Sequence, residues 1–89
     1  MGIQARIEEL IGQQVAEGQQ IGVQVCVYHE GKVVVDAVAG KMGPEDRRPV
    51  QADSLFCSFS STKGVAATAV HILADRGLLD YDAPVVKYW

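Results

Sequence analysis

Two short β-forming runs lie between Ile21 and Gly40, joined by one tight turn, and they constrain the fold of this chain more than any other feature. Ile21, Val23, Val25 and Val27 alternate with Gly22, Gln24, Cys26 and Tyr28, the period-two pattern of a strand with one buried face. His29-Glu30-Gly31-Lys32 supplies the turn, and a second run follows through Val33, Val34, Val35, Ala37 and Val38 to Gly40. Together these runs predict an antiparallel hairpin.

Helical patterns flank the hairpin. Before it, Ile3, Ile7, Leu10, Ile11 and Val15 recur at helical spacing with Glu8, Glu9, Gln13 and Gln14 between them. This predicts an amphipathic helix that Gly12 weakens slightly and Gly18 stops. After the hairpin, residues 41–53 are polar and turn-rich, with Gly43-Pro44 and Arg48-Pro49, and read as a surface loop. Residues 54–59 read as an extended entry to a second helix that begins near Ser60. Val65, Ala69, Ile72 and Leu73 are expected to form its buried stripe, and Ala66, Ala67, Ala69 and Ala74 favour helix intrinsically. Gly77 suits the left-handed position after Arg76, and Leu78 falls where a Schellman motif would bring it onto Leu73. Asp82 is expected to cap a short helix with Pro84 in its first turn. The order helix, hairpin, loop, helix defines an α+β chain.

A hydrophobic share of 48% against 21% charged residues is that of a globular protein, which excludes a disordered segment. The net charge of −3 and the scattered lysines and arginines give no footprint for nucleic acid or anionic membrane. Cys26 and Cys57 are too few for a disulfide scaffold or a zinc site, and both are expected to be reduced and buried. The first residues lack the apolar core of a signal peptide, and no apolar stretch approaches the roughly 20 residues needed to span a bilayer. The expectation is a cytoplasmic protein. A single hairpin also leaves strand edges without partners, and no closing cap follows Val85-Val86. Residues 1–89 are therefore expected to be the N-terminal part of one longer domain.

Chemistry concentrates in Phe56-Cys57-Ser58-Phe59-Ser60-Ser61-Thr62-Lys63-Gly64. Ser60 and Lys63 form Ser-x-x-Lys at the opening of the second helix. Residues three apart on a helix share a face and lie about 4.5 Å apart along its axis, so a lysine amine reaches a serine hydroxyl. The positive end of the helix dipole and an enclosing pocket disfavour an ammonium there, leaving an amine able to accept a proton. Free backbone N–H groups at the same helix end can stabilise an oxyanion. A nucleophile, a base and an oxyanion site are the parts that acyl transfer requires. Ser-x-x-Lys alone is a weak signal, arising by chance in roughly one chain in three of this length. Its blander reading is an N-cap serine followed by a solvated lysine.

The context strengthens the signal. Phe59-Ser60-Ser61-Thr62-Lys63-Gly64, followed by Leu73-Ala74-Asp75-Arg76-Gly77-Leu78-Leu79-Asp80 and Asp82-Ala83-Pro84-Val85, resembles the serine β-lactamase-related and penicillin-binding proteins. Within that superfamily it is most similar to the class C-like family VIII carboxylesterases. The resemblance implies an N-terminal fragment of a β-lactamase/transpeptidase-like fold, an antiparallel sheet flanked by helices. It further implies a Ser60 acyl-enzyme, Lys63 as its proton-handling partner, a small-molecule ester substrate and no cofactor. A β-lactamase or D-Ala peptidase is the alternative within the class, and a non-catalytic domain or inactive fragment the alternative outside it. Such enzymes also use a downstream Tyr-x-Asn and a later His/Lys-x-Gly strand, and neither follows Ser60 in these 89 residues. Tyr81-Asp82-Ala83 lacks the asparagine, so Tyr81 reads as a packing aromatic.

The other polar residues read as structural. His71 follows Ser60 by eleven positions, roughly 16 Å along a helix axis and too far to serve as its base. His29 reads as a solvent-facing turn residue. Ser58 and Ser61 have no lysine three positions on, and nothing is placed to activate Cys57 as a thiol nucleophile. Asp80 and Asp82 suit turn and cap duty better than metal binding.

Overall fold

The computed structural model describes residues 2–89, which fold as two compact units that divide after Leu55. The first unit holds helix α1 (Ile3–Ala16) and strands β1 (Gly22–His29) and β2 (Lys32–Gly40). The second holds a 3₁₀ turn (Phe59–Ser61), helix α2 (Thr62–Asp75) and a further 3₁₀ turn (Val85–Lys87). The α+β class expected from the sequence is the one observed.

β1 and β2 pair antiparallel, with Val27 opposite Val35, Val25 opposite Ala37 and Val23 opposite Ala39. The two-residue turn Glu30-Gly31 has φ of 50° and 76°, the doubly left-handed geometry whose twist matches that of the flanking strands. Next to the turn the register slips: Tyr28 pairs with Val33 while Val27 pairs with Val35, leaving Val34 as a bulge. The bulge allows Val34, as well as Val35, to pack on the face that meets α1. Ile11, Val35 and Ala37 form the buried cluster, with Ile7, Val23, Val25 and Ala39 packed around it. Of the apolar stripe expected for α1, Ile7 and Ile11 pack on this cluster, whereas Ile3 and Leu10 are exposed.

Side-chain amides tie down the rest of this unit. The Gln4 amide donates to the Asp36 carbonyl and accepts from the Asp36 N–H, both at 2.9 Å. At that point it takes the place of a neighbouring strand along β2. The Gln24 amide donates to the carbonyls of Gln51 and Ser54, each at 2.8 Å, and so holds the loop against β1.

At the open end of the hairpin Gly22 faces Gly40, and Val50 is buried across it. A Cβ on Gly22 would lie 2.2 Å from the Lys41 carbonyl oxygen. One on Gly40, where φ is 82°, would lie 2.0 Å from the Ile21 carbonyl oxygen. Both obstacles are backbone atoms, and no side-chain rotation relieves them. Gly40→Ala is expected to destabilise this unit by about 2–4 kcal/mol, combining overpacking with a left-handed penalty, and Gly22→Ala by about 1–3 kcal/mol. Urea unfolding measures both; wild-type midpoints would contradict the close approach.

The loop of residues 41–53 carries the fork of Arg48 on Asp46. Arg48 Nε donates to Oδ1 at 2.9 Å and Nη2 to Oδ2 at 2.6 Å, and the Arg48 backbone N–H donates to Oδ1 at 3.2 Å. The side-chain hydrogen bonds of Arg48, followed by its backbone N–H, lower the Asp46 carboxyl from 3.8 to about 2. A depressed carboxyl contributes stability above its unfolded value and loses it as pH falls through the folded one. The Gly43–Arg48 turn should therefore hold at pH 4 and loosen towards pH 2. An NMR titration of Asp46 should find its inflection near 2 and, in Arg48→Ala, closer to the ordinary carboxylate value.

Several expectations are corrected. Both cysteines are exposed rather than buried. Cys26 lies opposite Asp36, on the face of the hairpin turned away from α1, and Cys57 lies in the extended entry to α2. Helix α2 opens later than expected, because Ser60 sits in the preceding 3₁₀ turn, and its expected stripe of Val65, Ala69, Ile72 and Leu73 is exposed rather than buried. Asp82 caps no helix. Its N–H instead donates to Asp80 Oδ1 at 2.9 Å, and Pro84 occupies the cap position of the last 3₁₀ turn.

Candidate active site

Ser58 leads the chain into the 3₁₀ turn, and its hydroxyl is hydrogen-bonded to that of Thr62 at 3.0 Å. The Ser61 N–H donates to the Ser58 carbonyl at 3.1 Å, closing the turn that carries Ser60. Lys63 is the second residue of α2, three positions on, so the two side chains emerge on one side of the segment. Ser60, Lys63, Phe59, Thr62 and Ala66 line one open hollow. Both Ser60 and Lys63 are exposed, and among the described residues no hydrogen bond joins them. Of the blander reading, the solvated lysine is seen, since Lys63 is exposed, but Ser60 is not an N-cap residue. It lies inside the 3₁₀ turn, and no side chain caps that turn or α2.

Phe59, directly before Ser60, has φ of 46°, a left-handed conformation in a bulky non-glycine residue. No sequence signal anticipates it, since phenylalanine does not favour that region. Ser60 and Lys63 border one hollow, and the Ser60 N–H that follows Phe59 is without a backbone acceptor among the described residues.

The far end of α2 is built as its sequence indicates. Gly77, at φ 73°, donates to the Ala74 carbonyl and Leu78 to that of Leu73, which is the Schellman pattern. His71 Nδ1 is hydrogen-bonded to the Tyr81 hydroxyl, and the two rings meet edge to face at 5.6 Å. Both residues thus secure the chain after α2, and neither lines the hollow at Ser60. Asp80 accepts from the Asp82 N–H, and its own N–H donates to the Tyr88 hydroxyl at 2.9 Å. Among the described residues no group of three or more His, Cys, Asp or Glu side chains is placed to hold a metal ion. No helix among them is long and apolar enough to cross a membrane.

The structure is thus an α+β chain in which Ser60, in the 3₁₀ turn, and Lys63, in the first turn of α2, stand three residues apart. The chain belongs to the beta-lactamase family, whose family model matches residues 7–89. It is similar to the esterase/beta-lactamase LipL of Mycobacterium tuberculosis, with 48% identity over 68 residues covering 76% of this chain. It is also similar to the esterase EstB of Burkholderia gladioli, with 33% identity over 84 residues covering 94% of this chain. The matched segments amount to 16% of the first relative and 21% of the second. No solved structure matches the chain significantly.

Proposed function

We propose that this chain is the nucleophile-bearing part of a longer serine hydrolase, a carboxylesterase acting on small esters. The observation that carries the reading is the placement of Ser60 and Lys63 on one hollow where α2 opens, in a member of the beta-lactamase family. The lysine amine accepts the Ser60 proton as Oγ attacks the ester carbonyl. The resulting oxyanion is met by N–H groups at the helix end, that of Ser60 among them. Collapse of the tetrahedral species expels the alcohol, which takes the proton, and leaves an acyl group on Ser60. Water then attacks that ester, releasing the acid and restoring the serine.

Intact-mass and peptide mass spectrometry of the whole protein, quenched during turnover of a slowly hydrolysed chromogenic ester, tests the reading. The expected adduct is one acyl group per chain, on the peptide carrying Ser60. An adduct on Ser58, Ser61 or Cys57, or turnover with no adduct at all, would count against it.

Hydrolysis of β-lactams is a second reading, supported by the double designation of the Mycobacterium tuberculosis relative. It uses the same Ser60 and Lys63 with an amide in place of the ester. A chromogenic cephalosporin assayed beside the ester ranks the two activities by kcat/KM.

A further inference from the structure

Gln24 is a polar residue within β1, flanked by Val23 and Val25. Those valines pack against the cluster under α1, so alternation sends Gln24 to the opposite face, where it is half-buried. Its amide nitrogen carries two hydrogens and donates to two carbonyls, those of Gln51 and Ser54, both at 2.8 Å, with the Ala52 carbonyl at 3.5 Å. These acceptors belong to one tight turn. The Ser54 N–H donates to the Gln51 carbonyl at 3.2 Å, and Ser54 Oγ accepts from the Gln51 N–H at 2.8 Å. Just before the turn Val50 is buried, and its N–H donates to the Gly40 carbonyl at 3.0 Å. Beyond Ser54 such ties stop: no backbone N–H of residues 55–60 meets a backbone acceptor among the described residues. The Ser54 carbonyl is thus the last to take a hydrogen bond from β1 before the chain runs on to Ser60, six positions further.

We propose, resting on the assignment of Ser60 as nucleophile, that Gln24 is a positioning residue, acting through the turn of residues 51–54 to fix the point from which the chain runs to Ser60. Ser60 Oγ must approach the ester carbonyl along a set line, and a misplacement of about 1 Å costs on the order of 10²-fold in rate. A segment without regular structure passes the freedom of its starting point on to its end. Glutamine suits this duty, because one side-chain nitrogen supplies both donors. A carboxylate would set oxygen against both carbonyls, and a thioether would leave them without a donor. Gln4 supplies the comparison. Its amide is joined to Asp36 by two hydrogen bonds of 2.9 Å, but Asp36 lies within β2 and not on the run to Ser60.

The test uses the whole protein and 4-nitrophenyl butyrate. Gln24→Met keeps the length of the side chain and removes both donors. It should lower kcat by about tenfold with KM within about twofold of wild type, the pattern of a geometry lost in the transition state. Gln24→Glu should show the same split. Gln24→Asn, which keeps the amide but draws it back by one methylene, should lower kcat less and decides the matter where methionine loosens the fold. Ser54→Ala should also lower kcat, and its effect should not add to that of Gln24→Met, since both act through one turn. Gln4→Met should lose thermal stability yet keep the wild-type kcat, whereas a merely structural role for Gln24 would make the two glutamines behave alike. An unchanged kcat in the Gln24 variants, a loss confined to KM, or an equal fall in kcat for Gln4→Met would overturn the positioning role. Ser60→Ala assayed alongside separates the two ideas. Turnover retained there removes the nucleophile assignment, whereas an inactive Ser60→Ala with unaltered kcat in the Gln24 variants removes only the role of Gln24.

Discussion

Ser60→Ala in the whole protein is expected to lower kcat for a short-chain chromogenic ester by roughly 10³-fold or more, as loss of a covalent nucleophile does elsewhere. Lys63→Ala should cost a comparable factor. The double variant should be little worse than either single one, because a nucleophile and its base act as a unit. Lys63→Arg should not rescue activity, since a guanidinium stays charged and cannot accept the serine proton. Stability should barely respond to Ser60→Ala. The hydroxyl makes no hydrogen bond among the described residues and caps no helix, so the change belongs with surface substitutions of about ±0.5 kcal/mol. Thermal unfolding beside the assay separates loss of chemistry from loss of fold. Ser60→Ala retaining most of the activity would remove the acyl-enzyme.

Local signals account for most of what was legible in advance. The hairpin follows from strict alternation between Ile21 and Tyr28, and α1 from isoleucines and leucines at helical spacing. Gly18 and Gly77 each end a helix in the left-handed conformation, because a glycine there frees the chain to turn back on the last carbonyls. The bulge at Val34 was not legible. Three consecutive valines look alike in sequence, and only packing against α1 decides which of them leaves the ladder. The cysteines failed for a similar reason: apolar character says that a side chain prefers burial, not that a partner surface is present. At the site, Ser60 and Lys63 border one hollow, as their spacing suggests, but no hydrogen bond joins them among the described residues. The left-handed Phe59 that opens the 3₁₀ turn was invisible, because it is a backbone feature that its own residue type opposes.

The chain of 89 residues, prepared alone, is expected to protect its hairpin against hydrogen exchange and leave α2 nearly unprotected. The first unit has a buried cluster of Ile11, Val35 and Ala37, with Val50 closing the end of the hairpin. The second has none: no residue of α2 is buried, Val65 is 70% exposed, and Leu78, Val85, Val86 and Trp89 are exposed after it. A helix of fourteen residues without a packed face is marginal in water, and Gly64 and the β-branched Thr68 and Val70 lower its intrinsic stability further. Thr68 also turns its hydroxyl back to the Gly64 carbonyl at 2.8 Å, which does nothing to anchor the helix. Amides of β1 and β2 should therefore exchange on the order of 10² times more slowly than those of α2, reflecting the few kcal/mol that separate packed from unpacked elements. Ester turnover should be undetectable, because Ser60 and Lys63 then sit on a fraying helix end. The family resemblance also calls for tyrosine and oxyanion-strand segments that do not follow Ser60 in these residues. Exchange measured by NMR on the isolated chain, with the ester assay on the same sample, decides the point. Uniform protection through α2 together with clear turnover would show that residues 56–89 hold their structure, and a working site, without further support.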